Sequence, residues 1–145
     1  ITNQSGIYRG EYSWEDYEKV TKKMIELLGG KVNIHAIYAN SENRSLSKFN
    51  WRKPSPEMIF LAEKEFNLDL NKSVLIGDRK SDLEAGINAN ITNLIHVSTG
   101  HGKKHKALIQ KTLHKDIRNN KFKKAFNLEF VDNLEKLEFR NLFKN

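Results

Sequence analysis

Cysteine is absent from this chain of 145 residues. Disulfides and thiolate-bound zinc are thereby excluded, and a reducing, cytoplasmic setting is expected. Proline occurs only at 54 and 56, so few positions forbid a helix outright. Long apolar runs are also missing. None approaches the ~18 residues that a membrane-spanning helix needs, so no membrane partner is expected.

Charge is plentiful but uneven. Residues 1–102 carry 13 Lys+Arg and 13 Asp+Glu, whereas residues 103–145 carry 12 and 5 and so supply the whole net charge of +7. Within that region the segment 103–124 holds nine basic residues against one acidic residue, Asp116. Such a run either stays solvated or holds phosphate-rich partners.

Apolar spacing divides the chain into alternating helices and strands. Ser13 and Asp16 form a capping-box-like start for a helix carrying Trp14, Tyr17, Val20, Met24 and Leu27/Leu28 on one face, which Gly29–Gly30 stops. Trp14 and Tyr17 are expected to pack rather than to form a stacking platform. Residues 32–39 suggest a strand containing His35 in a structural role, and 40–50 a loop. Pro54 and Pro56 precede a helix with Met58, Leu61, Ala62 and Phe66 inside. Further strands are expected at 73–76, 94–97 and 128–131, and helices at 82–88, 103–113 and 132–143, the last capped by Asp132. Strands alternating with helices imply an α/β domain with a mainly parallel sheet, whose ligand crevice lies at the carboxyl ends of its strands.

Three polar clusters follow expected strands. Thr2-Asn3-Gln4-Ser5-Gly6-Ile7-Tyr8-Arg9-Gly10 offers a hydroxyl, backbone N–H groups and a glycine turn, a combination able to cradle phosphate. A plain polar turn is the competing reading of that cluster alone. Trp51-Arg52-Lys53-Pro54 supplies a guanidinium fork and an ammonium, either for phosphate or as a surface basic pair. Val74-Leu75-Ile76-Gly77-Asp78-Arg79-Lys80-Ser81-Asp82 delivers two carboxylates to one strand end. Hard oxygen ligands of this kind suit Mg²⁺, which takes few protein ligands and completes its shell with water and substrate phosphate. A capped turn would also account for Asp82.

In this order and with these spacings, the clusters resemble motifs II, III and IV of the haloacid dehalogenase (HAD) superfamily of phosphatases. The strings TNQSGIYRG, RKPSPEM and GDRKSDLEAG look like one branch, the D-glycero-D-manno-heptose 1,7-bisphosphate phosphatase and histidinol-phosphatase group. The resemblance covers 1 to about 102, and FNLEFVDNLEKL suits that group's last strand and helix. It implies a Rossmannoid three-layer α/β fold with a parallel sheet, and a Mg²⁺-dependent phosphomonoester hydrolase acting through an aspartyl-phosphate. Its substrate would be a heptose bisphosphate-like sugar phosphate, serving carbohydrate metabolism and surface lipopolysaccharide synthesis.

By the same resemblance, Thr2 would bond the transferring phosphoryl group, with Asn3 assisting. Lys53 would balance charge on phosphate and nucleophile. Asp78 would ligate Mg²⁺, and Asp82 would act on the metal indirectly. Arg52, Arg9, Gln4 and Ser5 would contact substrate. Two departures stand out. The Asp-x-Asp that carries the family's nucleophile and general acid does not occur in residues 1–145. The expectation is therefore a single HAD-like domain that is N-terminally incomplete, lacks a central strand and is inactive alone. The loop ANSENRSLSKFNW has no Cys or His, so the zinc ligands of many relatives are absent and no zinc is expected.

Two other functions remain open at this level. Polynucleotide 3′-phosphatases also resemble the chain at TNQ-x-GI-x-RG and RKP, and the basic segment would suit a nucleic-acid partner. A non-catalytic HAD remnant or binding module is the other. His101, His105 and His114 lie in the Lys-rich stretch without a ligand spacing, and Asp69 reads as a helix-exit turn.

Overall fold

The computed structural model describes residues 1–30, 33–42, 50–119 and 121–137. They form two compact units, 1–52 and 53–145.

The first unit contains β1 (Thr2–Asn3), α1 (Ser5–Tyr8), α2 (Trp14–Leu28) and β2 (Ala39–Asn40). β1 and β2 pair in parallel, with Thr2 opposite Ala39 and Asn3 opposite Asn40. The strand expected over 32–39 is thus confined to its last residue and the next one. Thr2 N–H donates to the Tyr38 carbonyl at 2.8 Å, while residues 31–32 lie outside the described residues. The capping box forms as the sequence suggests. Asp16 N–H donates to Ser13 Oγ at 3.1 Å, and Ser13 N–H donates to Asp16 Oδ2 at 3.0 Å. The Ser13 N–H bond, foremost, and a second bond from Ser13 Oγ to Asp16 Oδ2 at 2.9 Å hold the Asp16 carboxyl below its ordinary pKa. Gly29 closes the helix at φ 57°, in the left-handed region that glycine enters without penalty.

The apolar stripe of α2 does not form a core. The helix has no buried residue, and Trp14, Val20, Met24 and Leu27 are exposed. Trp14 and Tyr17 do pack edge to face on each other, 5.6 Å apart. Periodicity shows which residues share a face, but among the described residues of this unit no element buries that face.

The second unit is built on a parallel sheet of β3 (Val74–Gly77), β4 (Asn93–Val97) and β5 (Asn127–Val131) in sequential order. Parallel neighbours need crossover connections. These are α4 (Lys80–Asn88) between β3 and β4, then α5 (Gly102–Ile109), a π-helical turn (Gln110–His114) and α6 (Lys115–Arg118) between β4 and β5. α3 (Glu57–Phe66) precedes the sheet. Strand alternation gives the sheet two apolar faces. Leu75 and Leu94 join Ile59, Leu83, Ala85, Ile87, Ile109 and Leu113 in the larger cluster. Ile95, Val97, Val131 and Leu137 form the smaller one.

Three local expectations shift. Ile59 rather than Phe66 joins Met58 inside α3, because the buried arc centres on its first turn and leaves Phe66 exposed. The helix expected over 103–113 runs on to Arg118, since the π turn absorbs the slip in apolar spacing and keeps Leu113 buried. After Asp132 the chain makes a 3₁₀ turn at Leu134–Lys136, and residues 138–143 of the expected helix lie outside the described residues.

Candidate active site

The carboxyl end of β3 carries the chemistry of the second unit. Gly77 ends the strand, Asp78 follows it, and Asp82 lies in the first turn of α4. Asp82 Oδ2 accepts from the Arg79 N–H at 2.9 Å, capping the helix start. Its other oxygen, Oδ1, lies 2.6 Å from Lys53 Nζ. The two side chains are 11% and 9% exposed, for Lys53 and Asp82 respectively. One oxygen of Asp82 thus closes the capping box from the third helical position, Arg79 being the N-cap, while the other faces the Lys53 ammonium. A Cβ at 77 would run into Asp82 Cβ, so glycine there lets the strand end and the helix start approach.

Asp78 is positioned by the neighbouring strand. Beyond β4, Gly100 adopts φ 57°, and the next amide, His101 N–H, donates to Asp78 Oδ2 at 2.7 Å. Asp78 Oδ1 takes no part in this bond. A carboxylate with one oxygen held by a peptide and one directed elsewhere fits a Mg²⁺ ligand, because that ion needs only one or two protein carboxylates. Among the described residues, no three His, Cys, Asp or Glu side chains gather into a ready-made cage. The role of His101 was not legible from its side chain, since the backbone makes the bond.

His96, opposite Gly77 in the ladder, is fully buried beneath this edge. Neither ring nitrogen has a hydrogen-bond partner among the described residues, and the ring packs 5.3 Å from Phe130. Burial lowers its pKa from the ordinary histidine value, with Lys106 and His105 adding to the effect and Asp78 opposing it.

The first unit holds the other expected residues. Thr2 and Asn3 form β1, and Gln4 Nε2 donates to Thr2 Oγ1 at 2.9 Å. Tyr12 Oη donates to Gln4 Oε1 at 2.6 Å, so Tyr12, which the sequence did not single out, fixes the Gln4 amide. Arg9 reaches Ser5 Oγ at 3.1 Å, but its fork is engaged by Glu11 at 2.6 and 2.8 Å. Glu11 is a partner that sequence reasoning missed, although Arg-x-Glu spacing could have signalled it. The bond to Glu11, foremost, raises the Arg9 pKa and lowers that of Glu11. Arg52 Nη1 donates to the Glu42 carbonyl at 3.2 Å. Lys53 and Asp82 are thus brought together around the β3 end, Thr2 and Gln4 are joined at β1, and Arg9 is turned to Glu11.

Comparison with known proteins gives the following likenesses. Residues 50–121 match the HAD-hydrolase-like family model. The chain is 41% identical over 99 residues to a D-glycero-beta-D-manno-heptose-1,7-bisphosphate 7-phosphatase of Helicobacter pylori. The chain matches the HAD-like family.

That Helicobacter alignment covers 64% of the HAD-like chain and 54% of the relative. A D-glycero-alpha-D-manno-heptose-1,7-bisphosphate 7-phosphatase of Photorhabdus laumondii is 39% identical over 110 residues, covering 70% and 59%. The chain thus spans a little over half the length of these curated relatives. A crystal structure of the D,D-heptose 1,7-bisphosphate phosphatase from B. bronchiseptica, complexed with magnesium and phosphate, superposes with a TM-score of 0.64 at 23% identity. It covers 87% of the HAD-like chain and 64% of the other. This likeness shows the fold, a HAD-like Rossmannoid α/β architecture with parallel sheets.

Proposed function

We propose that this HAD-like chain supplies the phosphate-holding and metal-holding residues of a Mg²⁺-dependent phosphomonoester hydrolase acting on a sugar phosphate of the heptose bisphosphate kind. The buried Lys53–Asp82 pair beside Asp78, at the carboxyl end of β3, is the observation that carries this reading. The names of the relatives support the substrate class. A cytoplasmic site and a part in surface polysaccharide synthesis belong to the same proposal.

Phosphoryl transfer depends on positioning and charge neutralisation more than on covalent chemistry by the protein. Lys53 places a cation that Asp82 holds in one geometry. Asp78 presents the carboxylate oxygen that would hold Mg²⁺, and the His101 amide fixes its orientation. Bound Mg²⁺ would offset charge on the phosphate. Thr2 and Asn3 would hold phosphate oxygens, and Gln4 orients the Thr2 hydroxyl. Arg52 and Ser5 would contact the sugar part. Arg9 could do so only by leaving Glu11. In the mechanism that the resemblance implies, the nucleophile is the carboxylate of an Asp-x-Asp, a pattern that does not occur in residues 1–145. Its oxygen attacks phosphorus as the sugar–oxygen–phosphorus bond breaks, the sugar oxygen takes a proton, and water then hydrolyses the acyl phosphate.

Calorimetric titration of residues 1–145 with Mg²⁺ tests the metal assignment. Binding should be present in the parent and lost in Asp78→Ala. Equal binding by both would overturn it. A phosphomonoester assay tests the nucleophile. Turnover by residues 1–145 that Asp78→Ala abolishes would place the nucleophile within them.

A further inference from the structure

The phosphatase reading leaves the basic segment unused. Along α5, the π turn and α6, one side is buried by Ile109 and Leu113. The opposite side exposes Lys103, Lys104, Lys111, Lys115 and Arg118. Among the described residues none of these five has an ion-pair partner. The single acidic residue of the stretch, Asp116, lies 2.6 Å from Lys121 and is already neutralised. Lys124 is likewise engaged, by Asn71 Oδ1 at 2.6 Å and the Asn90 carbonyl at 3.0 Å. From Lys104 to Arg118 the helical run extends about 21 Å at ~1.5 Å per residue. The result is a line of unopposed cations on a rigid support.

We propose that this exposed face binds the phosphodiester backbone of a nucleic acid without reading its sequence. A linear array of cations matches a linear array of phosphates, and releasing condensed counterions drives such binding. Residues 103–118 contain no Phe, Tyr or Trp, so the face lacks the large rings on which successive bases stack. A bilayer is a poorer fit. An amphipathic helix enters a membrane through its apolar side, and here that side is committed to the core through Ile109 and Leu113. The proposal is independent of the phosphatase reading and stands or falls without it.

The test is fluorescence anisotropy of a labelled 20-base-pair duplex of mixed sequence with residues 1–145, from 25 to 200 mM NaCl (probe length and salt on the order of those used for phosphate-contact counting). Affinity should fall steeply with salt, each engaged cation contributing about −0.9 to the log–log slope. The variant Lys104→Gln/Lys111→Gln/Lys115→Gln/Arg118→Gln should lose most binding and flatten the slope by about 3.6. A charge-matched variant, Lys19→Gln/Lys22→Gln/Lys64→Gln/Lys72→Gln, should bind like the parent. Circular dichroism checks that each is folded. If the first variant unfolds, its two halves, Lys104→Gln/Lys111→Gln and Lys115→Gln/Arg118→Gln, are compared instead. No binding at the lowest salt, equal loss in the two charge-matched variants, or tighter binding to phosphatidylserine vesicles than to the duplex would each overturn the proposal.

Discussion

Lys53 Nζ and Asp82 Oδ1 lie 2.6 Å apart with both side chains nearly sealed from water. One belongs to the turn before α3 and the other to the first turn of α4, so their contact ties two distant stretches of sequence. A buried ion pair gives little net stability, yet breaking it strands a charge in a poorly solvated place. Removing the amine by Lys53→Ala is therefore expected to cost about 3 kcal/mol or more in urea unfolding. The double variant Lys53→Met/Asp82→Leu should recover much of that loss while abolishing phosphate binding. A double variant no more stable than Lys53→Ala would contradict this account.

Gly100 separates backbone strain from site geometry. Its φ of 57° disfavours any side chain, and a Cβ there would press on Asp78 Oδ2. Gly10 has a similar φ of 69° but nothing within 4 Å of the added atom. Both Gly100→Ala and Gly10→Ala should lose about 1–2 kcal/mol in denaturant unfolding for the left-handed conformation. Only Gly100→Ala should also weaken Mg²⁺ affinity by calorimetry.

His96 gives the fold a pH dependence of predictable sign. Its ordinary pKa is 6.5, and burial lowers it in the folded chain. Between the lowered value and 6.5 the unfolded chain binds more protons, so stability rises with pH there. Its contribution is complete above about 6.5 and is lost as pH falls below that value. Unfolding midpoints measured across this range should show the slope, and His96→Leu should flatten it. An unchanged slope in that variant would remove His96 as the cause.

The exposed stripe of α2 predicts a contrast with the sheet core. Val20 and Leu27 are 70% and 75% exposed, whereas Leu83 is completely buried. In residues 1–145, Val20→Gln or Leu27→Gln should change stability by no more than about 0.5 kcal/mol. Leu83→Ala should cost about 2–5 kcal/mol. Thermal or urea unfolding of the three variants checks the ranking.

Much of the second unit was legible because its signals are local. A short apolar strand ending in Gly77 predicts where Asp78 emerges, and the helix that follows predicts where Asp82 turns back. Lys53 could be proposed from its proline-flanked position, although its pairing with Asp82 across 29 positions could not. The π turn was illegible because an apolar residue recurring at Leu113 looks the same whether the helix slips or not. The strand expected over 32–39 is regular only from Ala39, where it meets the two-residue β1, because alternation reports a preference and not the length of a ladder. For α2 the spacing identified a face correctly, but burial depends on what lies over that face. The Arg9–Glu11 pair shows the reverse case, in which a local charge pattern was available and competes with a proposed substrate contact.

The bond from the His101 peptide to Asp78 makes position 101 unusual in what it can tolerate. Because the peptide nitrogen is the donor, exchanging the imidazole for nearly any other group leaves that hydrogen bond available. Proline alone would delete the donor. The residue is thus chemically indifferent in its side chain and restrictive in its backbone, so a survey of substitutions at 101 should find broad acceptance with one sharp exclusion.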